Sequence, residues 1–184
     1  MADLVQAQRR AVLSGRYGGS PLVRLTPAEP ASRIALRAGA ESVAGLSAAL
    51  GLTLPIRPKG SAAVDGRLAF WLGPDEWLVI DEKGADLMAA CAGMATAHSA
   101  TDVSHRNVAI IVSGPGTVAT LSAGCPLDLS LSGFAVGAAT RTLFGKVEIV
   151  LYRMTDDTFR LECWRSFADY AFGLLAQAAE DAAA

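Results

Sequence analysis

At 184 residues, with an apolar fraction of 52% and a positive mean hydropathy, the chain can bury a core as one substantial domain or as two small ones packed together. Its formal net charge of −2, with no basic stripe, argues against a nucleic-acid partner. No apolar run approaches the ~18 residues of a membrane span, so none is expected.

Much of the apolar fraction is Ala, Leu and Val. This fits either an Ala-rich coding style or apolar surface that is buried against another chain, and the second is the preferred expectation. The first residues, MADLVQAQRRAVLSG, hold no continuous apolar segment, so no secretory signal is expected. Cys91, Cys125 and Cys163 are far apart and form no C-x-x-C pair, which reads as reduced, buried thiols of a cytoplasmic protein. His98 and His105 have no Cys or His at ligand spacing, and no metal site is expected.

In chain order, Leu4, Val5, Gln8, Ala11 and Val12 form a short helical pattern that breaks at the glycines before Ser20. Pro21, Pro27 and Pro30 then enforce extended backbone with missing donors. Residues 1–32 therefore read as an N-terminal arm, either frayed or draped over a partner. Residues 33–180 read as the α+β domain. Arg33–Ala38 alternates as a strand, and Glu41–Leu50 is a helix ended by Gly51. Residues 53–65, with Pro55, Pro58 and Gly60, read as a loop. Arg67–Leu72 and Trp77–Ile80 are strands around the Gly73–Pro74 turn. A small-residue helix from Ala85 to Ala92 and an extended stretch from Ala97 to Ser104 complete a βαββαβ order, the ferredoxin-like unit.

The second half repeats the theme. Val108–Val112 is a buried strand, and Gly116–Ala123 a helix entered through Pro115. Strands follow at Thr140–Phe144, Val147–Met154 and Phe159–Trp164. A final helix spans Ser166–Ala178, with Ser166 as N-cap and Phe167, Tyr170, Ala171, Leu174 and Leu175 on its buried face. The fold class predicted is α+β, two interlocked ferredoxin-like halves sharing one core.

Several residues invite a chemical reading. Asp102, Ser104 and Arg106 share one face of an extended backbone, with His105 opposite, so Ser104 and His105 are badly placed to share a proton. No nucleophile elbow is present. Gly114–Pro115–Gly116 looks like a phosphate cradle but lacks the Walker lysine, and Pro115 removes a donor, so a strand-to-helix turn is preferred. Most of Trp71, Trp77 and Trp164 are expected in the core, with one or more as an interface anchor. Glu148 and Glu162 are assigned by default to a solvated face. No catalytic, cofactor-binding or metal-binding residue is assigned to this chain.

Two segments carry a family resemblance: Leu72-Gly73-Pro74-Asp75-Glu76-Trp77-Leu78, and Thr101-Asp102-Val103-Ser104-His105-Arg106 running into Ile110-Ile111-Val112-Ser113-Gly114. With Gly124-Cys125-Pro126-Leu127-Asp128 and the Glu162–Phe172 segment, the chain resembles the gamma subunit of bacterial heterotetrameric sarcosine oxidase. More remotely it resembles the folate-binding fold of glycine-cleavage aminomethyltransferases. It departs from them after Gly145, where Lys146, Val147 and Glu148 stand in place of two aspartates, and near Cys163–Trp164, where an Asn is missing.

The resemblance implies a non-catalytic subunit beside alpha, beta and delta subunits. The complex would demethylate sarcosine to glycine oxidatively, releasing hydrogen peroxide and either formaldehyde or, with tetrahydrofolate, methylenetetrahydrofolate. FAD, FMN, NAD and zinc are expected on the other subunits and none on this chain. The alternative is a stand-alone folate-binding or aminomethyltransferase-like protein.

Overall fold

The computed structural model of the chain describes residues 11–184. The first half runs β1 (Gly18–Ser20), β2 (Val23–Pro27), β3 (Ser32–Ala38), α1 (Ala40–Leu50), β4 (Ser61–Val64), β5 (Arg67–Gly73), β6 (Glu76–Asp81), α2 (Leu87–Ala92) and β7 (His98–Asp102). The second runs β8 (Asn107–Ser113), α3 (Thr117–Ser122), β9 (Ala139–Phe144), β10 (Val147–Arg153), β11 (Thr158–Trp164), a 3₁₀ turn (Arg165–Phe167) and α4 (Ala168–Asp181).

Local chemistry explains the boundaries. Gly51 adopts φ 67° at the end of α1 and donates its N–H to the Ala48 carbonyl, while Leu52 donates to Ser47, a glycine-dependent helix stop. Asp86 caps α2 by accepting the Ala89 N–H at 2.9 Å, so the helix begins at Leu87 and not at Ala85. Asp81 closes β6 by accepting the N–H groups of Lys83 and Ala85 while pairing with Arg67. Burial opposes the charge on Asp81, but those donors outweigh it and hold its carboxyl below the usual range. Residues 61–64, expected as loop, form an edge strand on β5; their small side chains hide the alternation that marks a strand.

Both sheets are antiparallel throughout, with orders β4-β5-β6-β3-β7 and β1-β2-β8-β11-β10-β9. In the first, β5-β6-β3-β7 is the 2-3-1-4 order of a ferredoxin-like unit, with β4 added at one edge. In the second, β10-β11-β8 occupy positions 2-3-1, and β9 is the added edge strand. Position 4 is filled by β2, which comes from the N-terminal side of the first half. The two halves interlock through that strand.

The N-terminal arm is corrected here over its described part. β2 pairs with β8 from Arg24↔Ser113 to Pro27↔Ile110, and Leu13, Val23 and Leu25 are buried in the core. The prolines bracket the strands and do not interrupt them. Pro21 sits in the two-residue β1–β2 turn, Pro27 ends β2, and Pro30 lies beyond it. The helical pattern at Leu4, Val5 and Gln8 lies outside the described residues.

The layers are helices, five-stranded sheet, six-stranded sheet, helices. The single shared core of the expectation is instead three clusters. One packs α1 and α2 on the first sheet through Leu46, Leu50, Leu87 and Cys91. A second packs α3 and α4 on the other sheet through Leu121, Phe172 and Leu175. The third lies between the sheets, around Phe70, Ile80, Val150 and Tyr152.

The final helix also differs. Ser166 is not its cap; Phe167 holds that position without a side-chain bond. The buried face is Ala168, Ala171, Phe172, Leu175, Ala178 and Ala179, and Phe167 and Tyr170 are exposed.

Candidate functional site between the two sheets

Strand alternation builds this site. On β3, Ile34, Leu36 and Ala38 face the α1/α2 layer, so Arg33 faces the other sheet. On β11, Phe159, Leu161 and Cys163 face α4, which turns Arg160, Glu162 and Trp164 toward the space between the sheets. Arg33 and Glu162 meet there as a bidentate pair, Nε to Oε2 at 2.8 Å and Nη2 to Oε1 at 3.1 Å. Arg160 Nε donates to the same Oε1 at 2.8 Å, and its Nη1 reaches the half-exposed Glu82 at 2.6 Å. Arg33, Arg160 and Glu162 are all buried.

The assignment of Glu162 to a solvated face is therefore wrong. At its strand parity Glu162, like Arg160, lies under the five-stranded sheet. Glu148 fits the expectation, with a side chain 55% exposed. The two buried arginines are functional-site neighbours that sequence reasoning misses. Their signal lies in R-I-A-L-R and F-R-L-E-C, where charges of opposite sign occupy one parity of two strongly apolar strands.

The Thr101–Arg106 stretch is held by this same contact region. The strand ends at Asp102, and residues 104–106 form a turn, so the extended reading to Ser104 runs past the strand's end. Asp102 Oδ1 accepts the Ser104 N–H at 2.8 Å. Ser104 Oγ accepts the Arg33 N–H at 2.8 Å and donates to the Arg33 carbonyl at 3.3 Å. The hydroxyl is engaged by β3 backbone, and among the described residues no hydrogen bond joins it to His105. Asp102 and Ser104 pin the turn onto β3 beside the ion-pair network.

Gly114–Pro115–Gly116 is a strand-to-helix turn. Gly114 N–H bonds the Asp157 carbonyl at 3.0 Å, and Gly116 N–H bonds the Leu22 carbonyl at 3.1 Å. The donors a phosphate would need face the chain's own carbonyls.

Next to the network lies a cleft of about 220 Å³, lined in part by Glu76, Arg106, Asn107, Arg141, Glu148 and Trp164. Glu76 is gripped by Arg141 at 2.5 Å and by Arg37 at 3.0 Å. The Arg141 hydrogen bond holds the Glu76 carboxyl below the usual range despite partial burial. Trp77 is in the core, with Nε1 donating to the Pro55 carbonyl at 2.6 Å. Trp164 is exposed at the cleft mouth, stacked on Phe167 and overlaid by Arg106.

Burial, reinforced by the Glu162 carboxylate, pushes the Cys163 thiol up to about 12, and burial also raises Cys91. All three cysteines are free and buried. None is expected to react with an aromatic disulfide reagent at mildly alkaline pH until the chain is unfolded, when all three label. Rapid labelling of Cys163 in the native protein would contradict this packing.

Chemically, the site is self-neutralised: Glu162 is shared by Arg33 and Arg160, and Arg160 also reaches Glu82. Among the described residues no group of three or more His, Cys, Asp or Glu side chains is arranged to hold a metal ion. No helix among them is long and apolar enough to cross a membrane.

The family model for the sarcosine oxidase, gamma subunit family matches residues 36–182. The sarcosine oxidase subunit gamma of Corynebacterium sp. strain P-1 is 29% identical over 165 residues, covering 87% of this chain and 80% of that protein. Its counterpart from Arthrobacter sp. is 32% identical over 136 residues, covering 70% of this chain and 66% of the relative. A chain of the heterotetrameric sarcosine oxidase from Corynebacterium sp. U-96, solved with pyrrole 2-carboxylate, superposes with a TM-score of 0.84 at 26% identity over 96% of this chain and 97% of that one. The glycine cleavage system aminomethyltransferase T of Bartonella henselae shares the fold, with a TM-score of 0.62 at 16% identity over 87% of this chain and 49% of the enzyme. The protein described here belongs to the sarcosine oxidase, gamma subunit family.

Proposed function

We propose that the chain is the gamma subunit of a heterotetrameric sarcosine oxidase, the oxidoreductase that demethylates sarcosine to glycine, and that its role is structural. The observation that carries this is the end-to-end match to a chain of such a complex, 96% of one against 97% of the other. In this reading the alpha, beta and delta subunits hold FAD, FMN, NAD and zinc, and this chain supplies no catalytic residue. The self-neutralised interior supports that division, because groups locked in mutual ion pairs are poorly suited to exchanging protons with a substrate. Three free, buried cysteines support a reducing, cytoplasmic setting.

A stand-alone folate binder is less well supported. The aminomethyltransferase likeness, at 16% identity, speaks for the fold alone.

Co-expression with the other three subunits tests the proposal. The chain is expected to co-elute with them in a four-chain complex that releases hydrogen peroxide from sarcosine. A fully active, stable enzyme assembled from the other three chains, with this one eluting alone, would overturn it.

A further inference from the structure

The six-stranded sheet outruns the five-stranded one at its β9–β11 end. Phe144, Ile149 and Cys163 are buried toward α3 and α4. Their neighbours Leu143, Glu148 and Trp164 therefore point to the opposite face, the one that carries Val150 and Glu162 beneath the other sheet. Registers place these residues in a row. Leu143 is opposite Glu148, Glu148 and Trp164 adjoin the Ile149↔Cys163 pair, and Trp164 is opposite Asn107. Here the five-stranded sheet no longer covers them: Leu143 is 49% exposed and Trp164 42%.

The row continues onto the start of the last helix. Trp164 stacks on Phe167 with ring centroids 6.1 Å apart, and Tyr170 lies one helical turn on. Among the described residues four aromatic side chains are exposed, Tyr17, Trp164, Phe167 and Tyr170, and three of them share this patch. They are mounted on a strand and a helix, so little ordering cost remains when a partner covers them. Tryptophan, tyrosine and arginine are the residue types that dominate interface energetics.

Charge completes the surface. The Arg106 guanidinium lies 5.2 Å from the centre of the Trp164 ring. No carboxylate pairs with it among the described residues, whereas the neighbouring Arg141 has Glu76 and Glu148, and Asp169 has Arg16.

We infer that the Leu143–Trp164–Phe167–Tyr170 row is the face on which another subunit of the oxidase docks, and that this subunit presents a carboxylate to Arg106 beside an apolar side chain laid on Trp164. The inference rests on the reading of the chain as an oxidase subunit and adds to it the surface and the partner's chemistry.

The test uses the co-expressed complex, with capture through a tag on another subunit and quantification of this chain in the eluate. Wild type, Arg106→Glu, Arg106→Lys, the pair Trp164→Ala with Phe167→Ala, and the distant surface control Ile56→Ser are compared, with thermal melts of each isolated chain. Arg106→Glu and the aromatic pair are expected to reduce capture by roughly tenfold or more. Arg106→Lys and Ile56→Ser are expected to retain it, and the melt of Arg106→Glu to match wild type. Higher salt should weaken capture of wild type and leave Arg106→Glu little changed.

Capture of wild type and of every variant alike would overturn the docking surface and leave the subunit reading standing. Failure of wild type itself to be captured would overturn both. A dimer of the isolated chain in sedimentation that Arg106→Glu abolishes would also overturn it, by showing that the patch is covered by a second copy.

Discussion

Replacing Glu162 with glutamine is expected to destabilise the chain by about 3–5 kcal/mol, the cost of breaking a buried ion pair by removing one partner. Glu162 is the shared counter-ion of Arg33 and Arg160, and all three are buried. Without it two guanidiniums remain between the sheets with only the half-exposed Glu82 as a charge partner. The expected result in urea is a lower midpoint at an unchanged slope. A contrasting variant separates charge from packing. Converting Arg33, Arg160 and Glu162 together to Met, Met and Leu removes the desolvation cost along with the attraction, and should leave stability near wild type or above it. A Glu162→Gln protein within about 1 kcal/mol of wild type would show that the network is not desolvated as the structure has it.

The second large effect is expected from Gly114→Ala, at about 3 kcal/mol. Gly114 has φ 118°, a region that side chains other than glycine rarely adopt. A methyl group there would also collide with the Leu22 carbonyl oxygen, because β2 crosses close to the β8–α3 turn. Gly116 donates to that same carbonyl. The damage should therefore be local to the strand exchange that interlocks the halves. Hydrogen exchange is expected to rise first in residues 18–27 and at the end of β8. Gly93→Ala is the control: Gly93 has helical dihedrals and open space where the methyl would sit, and stability should change little. Equal destabilisation by the two variants would argue against the close β2 crossing.

Much of the fold is legible in the chain itself. Alternation marks β3, β5, β6, β10 and β11 because each has one or both faces in a core, and the order β-α-β-β-α-β is visible without coordinates. Gly51 announces itself because the left-handed backbone that ends α1 falls on that single residue. The D-x-S and L-G-P-D-E-W runs carry the family resemblance, and the family match agrees with it.

What the chain hides has a common cause. Periodicity tells which side chains share a face but not what covers that face. Glu162 and Glu148 have the same parity toward the space between the sheets; one lies under the five-stranded sheet and the other beyond its edge. Residues 165–167 turn as a 3₁₀ helix, with about 3.0 residues per turn, so Phe167 falls out of phase with α4, whose own buried face runs through Ala168, Ala171, Phe172 and Leu175. Phe167 and Tyr170 are thereby left outside.

The N-terminal segment shows the same limit. Its prolines and short length read as an arm, but none of the second half's own strands takes position 4 of its ferredoxin-like order, and β2 fills that place. Local residue chemistry determined the elements, their turns and the family signature. Only the tertiary structure decided which strand closes which sheet, which charges are desolvated together, and which aromatic row is left uncovered, because each depends on contacts between residues far apart in sequence.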